Sequence, residues 1–241
     1  MKLFLKNKIR ILLSMFFPDR CPFCDEVIGM GSLCCGDCAG KIQLVSQPFC
    51  CKCGQPLTDA RGEYCMDCSR KRHAYVSGRA VYVYQGQVKA SLYRFKYASR
   101  KEYAACYGYQ ALELYGGWIR NIAPEAIIPV PLHPVRQRKR GYNQAEVFAR
   151  VLGEALHIPV RCDLVRRSVN TCPQKELNDT ERKKNLKKAF TIAENIVQLS
   201  RVLLVDDIYT TGSTVDAVSA QLTAGGIQQV YVLCISIGRG Y

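Results

Sequence analysis

Residues 202–205, Val-Leu-Leu-Val, form an unbroken apolar run that ends abruptly at Asp206 and Asp207. A strand covered by helices on both faces has no wet side and shows no alternation, so the run predicts such a strand, stopping at the acids. Thr210, Thr211, Gly212, Ser213 and Thr214 follow as a tight, hydroxyl-rich loop. From Val215 to Ala224 the apolar positions recur at helical spacing, and Gly225 and Gly226 stop the helix. Upstream, residues 125–130 predict a second buried strand ending in Pro131, Leu132, His133 and Pro134. Arg136, Arg138, Lys139 and Arg140 then form a basic run ahead of a helix beginning near Tyr142. Residues 79–84 alternate as a strand, 86–98 and 101–114 read as helices, and 160–165 read as a further strand. Strands separated by helices predict an α/β domain with a mostly parallel sheet.

Two stretches fit no simple element. Residues 166–190 are polar and basic, broken by Pro173 and Asn178. A loop of that length in a compact domain is usually functional or disordered, and the functional reading is a lid whose Thr171, Gln174, Arg182, Lys183 and Lys184 close over phosphates. Tyr93, Tyr97, Tyr103, Tyr107, Tyr109 and Tyr115 are interleaved with Lys89, Arg94, Lys96, Arg100 and Lys101. Rings among cations suit a groove for single-stranded nucleic acid, but rings at helical spacing more often fill a core, and the core is the preferred reading.

Residues 1–17 mix Lys2, Lys6, Lys8 and Arg10 with Leu3, Leu5, Ile9, Leu12, Leu13, Phe16 and Phe17. The apolar run falls short of the roughly 18 residues that cross a bilayer, and no small-residue cleavage site follows. The expectation is an amphipathic lead-in helix over 1–18, docked on the protein itself or on a membrane surface, with no transmembrane segment.

Composition sharpens the picture next. Ten of the fourteen cysteines lie between Cys21 and Cys68. Cys21, Cys24, Cys35 and Cys38 form one CxxC…CxxC set with ten residues between the pairs, and Cys50, Cys53, Cys65 and Cys68 form another with eleven. One tight turn aims both sulfurs of a CxxC at a single ion, and a second turn completes the tetrahedron, so two successive structural zinc ribbons are expected over 19–72. Cys34 and Cys51, each beside a proposed ligand, leave the register open, and a disulfide framework or an iron–sulfur cluster is the alternative. Large apolar residues are sparse there, so metal must supply much of the folding free energy. The formal net charge is +14; two four-thiolate zinc sites, each net −2, would lower it by 4 to about +10. Such an excess favours polyanionic partners.

The acid pair and the loop after it carry the chemistry. A loop entering a helix N-terminus offers unpaired amides and positive potential to a phosphate, while two carboxylates one step earlier can accept hydrogen bonds from neighbouring sugar hydroxyls. Residues 202–214, VLLVDDIYTTGST, resemble the signature of the type I phosphoribosyltransferases, whose substrate is phosphoribosyl pyrophosphate (PRPP). The resemblance implies that Asp206 and Asp207 hold the ribose hydroxyls and that Tyr209, Thr210, Thr211, Gly212, Ser213 and Thr214 wrap the 5′-phosphate. It also implies a sheet of the type I phosphoribosyltransferase kind over 73–241.

The order of motifs extends the likeness along nearly the whole chain. A double cysteine ribbon, then IIPVPLHPVRQRKRGYNQAE, then RSVNTCPQKELNDTERKKNLKKAF, then VLLVDDIYTTGST is similar to the ComF family of competence-associated proteins. That likeness implies that 131–134 is the pyrophosphate loop, that Arg140, Asn143 and Gln144 belong to a family motif, and that Lys96 and Tyr97 match a recurrent Lys–Tyr pair. The middle stretch also resembles the flexible loop of amidophosphoribosyltransferases, yet nothing resembles their amino-terminal catalytic cysteine or glutaminase domain. Two functions follow as expectations. One is a phosphoribosyltransferase-like protein binding PRPP with Mg²⁺, with Arg136, Arg140 and Arg182 steadying pyrophosphate and an unknown acceptor. The other is a non-catalytic, PRPP-responsive or single-stranded-DNA-binding component of the competence machinery. Either would be cytoplasmic or peripheral to the membrane.

Overall fold

A computed structural model of the chain describes residues 18–59, 61–168, 189–193 and 199–238. The lead-in segment and the proposed lid residues Thr171, Gln174, Arg182, Lys183 and Lys184 lie outside them. The strands are β1 (Gly78–Val83), β2 (Ala126–Pro129), β3 (Val165–Arg167), β4 (Phe190–Ile192), β5 (Arg201–Tyr209) and β6 (Gln229–Ile237). The helices are α1 (Gly36–Ala39), α2 (Met66–Arg70), α3 (Gly86–Tyr97), α4 (Tyr103–Ile122), α5 (Pro134–Arg140), α6 (Gln144–Leu156) and α7 (Ser213–Ala224). Among the described residues no helix is long and apolar enough to cross a membrane.

The main sheet has the order β1-β6-β5-β2, with every pairing parallel. Alternation along β5 sends Val202 and Leu204 to one face and Leu203 and Val205 to the other. The first pair packs with Val215, Val218 and Leu222 of α7. The second packs with Leu92 and Phe95 of α3, Tyr107 of α4, and Phe148 and Leu152 of α6. All four strand residues are fully buried, which explains why the run carries no polar alternation.

This layering creates a switch point. The connection after β2 runs through α5 to α6, which covers one face, the helix after the adjacent strand β5 (α7) covers the other, and the two connections diverge. In open parallel sheets such a divergence leaves a crevice at the carboxyl ends of the two strands, where ligands bind. The crevice here lies between residues 131–134 and 210–212, the loops singled out from sequence.

The cysteine segments dock on this sheet, one toward each core. Cys21, Phe23 and Cys38 belong to the cluster on the α3, α4 and α6 face, whereas Cys50, Cys53 and Cys65 belong to the cluster on the α7 face. Phe23 meets Tyr82 edge-on at 5.5 Å, and Arg94 donates to the carbonyls of Pro22 and Phe23 at 3.0 and 2.9 Å. Between the two segments the chain runs antiparallel to β1: the Val45 amide donates to Val81 O and the Val83 amide to Gln43 O, both at 2.9 Å. That pairing covers an edge that would otherwise be open for aggregation.

The structure modifies several expectations. β5 does not stop at the acids; it continues through Asp206 and Asp207 to Tyr209, because β6 pairs with it as far as Tyr209↔Ile237. Residues 160–165 are not one strand. Val160 makes a single parallel bridge to Ile127 at the outer edge of β2, the chain then bends where Arg161 and Asp163 pair at 2.8 Å, and Val165 begins the separate antiparallel β3–β4 pair. The helix expected over 101–114 runs on to Ile122, and the basic run 136–140 is itself helical within α5. The helix expected near Tyr142 begins at Gln144, with Asn143 as its cap. The tyrosines divide: Tyr103, Tyr107 and Tyr115 are core, while Tyr93, Tyr97 and Tyr109 are exposed.

Docking of the second cysteine segment is tight enough to test. Gly54 has φ +80°, and a Cβ there would lie 2.9 Å from Arg79 Cα and from Gly78 O in β1. Gly54→Ala should cost ~1–3 kcal/mol through left-handed strain and backbone crowding. Thermal unfolding should shift down by several degrees, and an unchanged midpoint would show that the segment does not seat on β1.

Candidate functional site

The carboxyl end of β5 supplies the acids. Strand alternation puts Asp206 on the α7 face and Asp207 on the α3 face. The Asp207 amide donates to Asp206 Oδ1 at 2.8 Å, and Asp207 Oδ2 lies 3.0 Å from Lys96 Nζ. Both partners of that ion pair are largely buried, at 14% and 16% side-chain exposure, so the last turn of α3 is latched to the acid pair. Burial, and secondarily the negative charge of Asp207, push the Asp206 carboxyl up to about 7 against the opposing pull of Lys96 and Arg167.

The loop beyond them is built on glycine. Gly212 has φ +72° and caps α7, and a Cβ at this position would collide with the Tyr209 hydroxyl. The Tyr209 ring is thus the floor of the loop: it is buried, with its hydroxyl 2.9 Å from that of Tyr75. Thr210 and Thr211 are exposed, Ser213 and Thr214 half-buried, and the Thr211 and Ser213 hydroxyls lie 2.7 Å apart. Amides at the start of the 12-residue helix α7 face this rim with the positive end of its dipole.

The opposite wall is cationic. Pro131, Leu132 and His133 lead into α5, which starts at Pro134, and His133 Nδ1 accepts the Val135 amide at 3.3 Å. Arg140 donates to Gln144 Oε1 at 3.0 Å and to the Tyr97 hydroxyl at 3.2 Å, with its guanidinium 5.0 Å from the Tyr97 ring centre. Asn143 accepts the Ala145 amide at 3.1 Å and donates to Val130 O at 2.9 Å, pinning the start of α6 to the end of β2. Lys96, Tyr97, Arg140, Asn143 and Gln144, scattered in sequence, are thereby brought together beside the acids. Arg136 is half-buried on the same wall.

Arg167 on β3 was not singled out from sequence. Burial draws its guanidinium below the usual range, and it feels the charges of both Arg136 and Asp206, so it belongs to the site's electrostatics. Its only sequence signal was a place at the head of the basic stretch. A cavity of about 580 Å³ opens on the Lys96 side, lined by Tyr84, Lys89, Leu92, Tyr93, Tyr97 and Ile208 as well as Lys96.

The cysteines assemble as two four-sulfur sites, Cys21, Cys24, Cys35 and Cys38, and Cys50, Cys53, Cys65 and Cys68, with the sulfurs of each set within 4.8 Å of one another. Cys24 and Cys35 sulfurs are 3.7 Å apart, as are those of Cys53 and Cys65. A zinc–sulfur bond of about 2.3 Å gives a tetrahedral edge of about 3.8 Å, so the cages fit zinc, and the separation is far too long for a disulfide. Cys34 and Cys51 stand outside both cages. Four protein sulfurs per ion close each site to substrate, which makes the metal structural.

A family model described as double zinc ribbon domain matches residues 12–69. Competence protein F of Haemophilus influenzae is 34% identical over 224 residues, covering 90% of this chain and 96% of that protein. Competence protein ComFC of Bacillus subtilis is 28% identical over 189 residues, covering 75% of this chain and 73% of its own. Among solved structures, adenine phosphoribosyltransferase from Leishmania tarentolae is similar at 16% identity and a TM-score of 0.36, covering 60% of this chain and 74% of that one. With 90% of its length matched to competence protein F and both of its cysteine cages intact, the chain belongs to the ComF family.

Proposed function

We propose that this protein is a phosphoribosyltransferase-like protein that binds PRPP with Mg²⁺ and serves DNA uptake. The observation that carries the reading is the position of Asp206, Asp207 and the 210–214 loop at one switch-point crevice. A sugar laid across the end of β5 meets both carboxylates edge-on, and its 5′-phosphate reaches the amides of the loop. Pyrophosphate then lies toward residues 131–134, Arg136 and Arg140, where guanidinium forks and backbone donors neutralise it. Mg²⁺ travelling with the substrate would offset part of the pyrophosphate charge, and the carboxylates and phosphates are hard oxygen donors of the kind it prefers. Breaking the C1–oxygen bond leaves the electron pair on pyrophosphate and positive charge on the sugar, which the buried acids stabilise. The acceptor supplies the new electron pair and loses its proton.

The competence role is supported by the likeness to competence protein F and competence protein ComFC. A cytoplasmic or membrane-peripheral setting belongs to the same proposal. The domain plan, with a lead-in over 1–18, ribbons over 19–72 and the catalytic-type domain over 73–241, belongs to the same proposal.

A second reading has its own observation. Tyr93 and Tyr97 are 66% and 54% exposed, their ring centres are 5.0 Å apart, and Lys89 and Lys96 line the same cavity. Exposed rings among cations stack and hold the bases of single-stranded DNA. In that reading PRPP binding persists and the protein acts as a responsive DNA-binding component.

Calorimetry with PRPP and Mg²⁺ tests the sugar site. Each charge-assisted hydrogen bond is worth about 1.5–3 kcal/mol, so Asp207→Asn and Asp206→Asn should each weaken binding roughly 10- to 150-fold. Equal affinity across the three proteins would reject the site.

The raised Asp206 carboxyl adds a pH signature. Its folded value near 7 exceeds the unfolded one, so its contribution to stability is full below about pH 4 and is lost as pH rises toward 7. Ribose hydroxyls donate to the ionised form, so PRPP affinity should climb from pH 6 to pH 8, with a proton released on binding at pH 6. Asp206→Asn should remove the part of both profiles that does not come from the phosphates of PRPP itself, which also titrate near pH 6, and profiles identical in wild type and variant would contradict the assignment.

For the second reading, a fluorescent single-stranded oligonucleotide should bind Tyr93→Ala with Tyr97→Ala at least tenfold more weakly than wild type, with affinity falling steeply as salt rises. Unchanged binding by the double variant would remove the groove.

A further inference from the structure

One histidine bridges two parts of the molecule. His73 has a side chain only 2% exposed, with Nε2 3.5 Å from Cys68 Sγ and Nδ1 2.6 Å from Asp216 Oδ2. Cys68 is a ligand of the second cage, and Asp216 stands in the first turn of α7. The Asp216 amide donates to Gly212 O at 2.8 Å, and Asp216 Oδ1 accepts the Ala74 amide at 2.9 Å. A single residue thus ties the chain leaving the second ribbon, through its carboxylate, to the glycine of the phosphate-type loop, through its amide. With Cys68 held as a zinc thiolate, the ring faces an acceptor at each nitrogen.

A second thread runs alongside the first. The His73 ring stacks on Tyr75 at 5.1 Å with 27° between planes, and the Tyr75 hydroxyl is 2.9 Å from that of Tyr209. Tyr209 is the floor beneath Gly212. Both threads begin at the second ribbon and end at the same glycine. The first ribbon's side-chain bonds run elsewhere, through Arg94 and Arg100 to the residues of its own turn.

Partners just outside the coordination shell orient metal ligands and tune the metal, so this arrangement can act in both directions. We infer that His73 is a positioning residue that couples zinc at the second cage to the shape of the 210–214 loop, so that zinc and phosphosugar strengthen each other's binding. The inference rests on the reading of that loop given above. Coupling between two sites is reciprocal, so a ligand that zinc favours must in turn retain zinc, typically by a factor of about 5–150.

The test uses the full chain with cobalt(II) in both cages. Addition of PRPP with Mg²⁺ should shift the absorption bands of one of the two cobalt ions and slow its release to a chelator at least about fivefold, leaving the other ion unaffected. In His73→Ala and Asp216→Asn, PRPP should bind more weakly, and at saturation it should neither shift the bands nor slow release. Wild-type bands and release that ignore saturating PRPP would overturn the inference, as would His73→Ala that keeps both effects. Absence of any PRPP binding by calorimetry would reject the phosphosugar reading alone. The coupling is then decided by hydrogen exchange at amides 210–216 in zinc-loaded protein: faster exchange in Asp216→Asn, at unchanged zinc content, supports it, and wild-type exchange rates overturn it.

Discussion

The site depends on burial of β5 from both sides. A strand with α7 on one face and α3, α4 and α6 on the other cannot turn a carboxylate toward either core, so its acids must come where the cover ends. Asp206 and Asp207 come near that place, half-buried, with only Ile208 and Tyr209 of the strand beyond them. Because the connections after β5 and β2 leave toward opposite faces, the cover ends in a crevice rather than under a helix. The hydrophobic effect thus fixes where polar chemistry can occur, and the loop at Gly212 and the cationic wall at α5 are the two sides of that opening.

Charge then refines what burial creates. Lys96 holds Asp207 while Asp206 keeps a raised proton affinity, so the two neighbouring acids are not equivalent. Arg140 does not stand alone as a solvated cation; it bridges Tyr97 and Gln144 and joins α3 to α6 across the rim. The ribbons reinforce the same frame from the β1 edge, each feeding its own face of the sheet. They are poor in apolar residues, and Cys21, Cys38, Cys50 and Cys53, wholly or nearly wholly buried, take the place of core side chains.

Much of this was legible in the chain. The Val202–Val205 run, the acid pair and the TTGST loop announce strand, loop and helix in order, because each step changes the local rule from full burial to polarity to helical spacing. CxxC spacing likewise announces both cages, and the sulfurs converge as expected. What was not legible depends on distance in three dimensions. β6, nine residues at the centre of the sheet, carries Tyr231 and Ser236 among apolar residues and gave no boundary signal strong enough to single out. Residues 160–165 have strand composition, yet the chain bends out of register at Arg161 to Asp163, whose side chains pair with each other. Arg167, His73 and Asp216 matter through partners remote in sequence, which no local pattern encodes.

The most direct measurement of the central claim is a crystal structure of the protein with PRPP and Mg²⁺. The account predicts ribose hydroxyls within hydrogen-bond reach of the Asp206 and Asp207 carboxylates, with the 5′-phosphate on the amides of residues 210–214. Ligand density elsewhere on the molecule, or a crevice that stays empty at saturating PRPP, would contradict it.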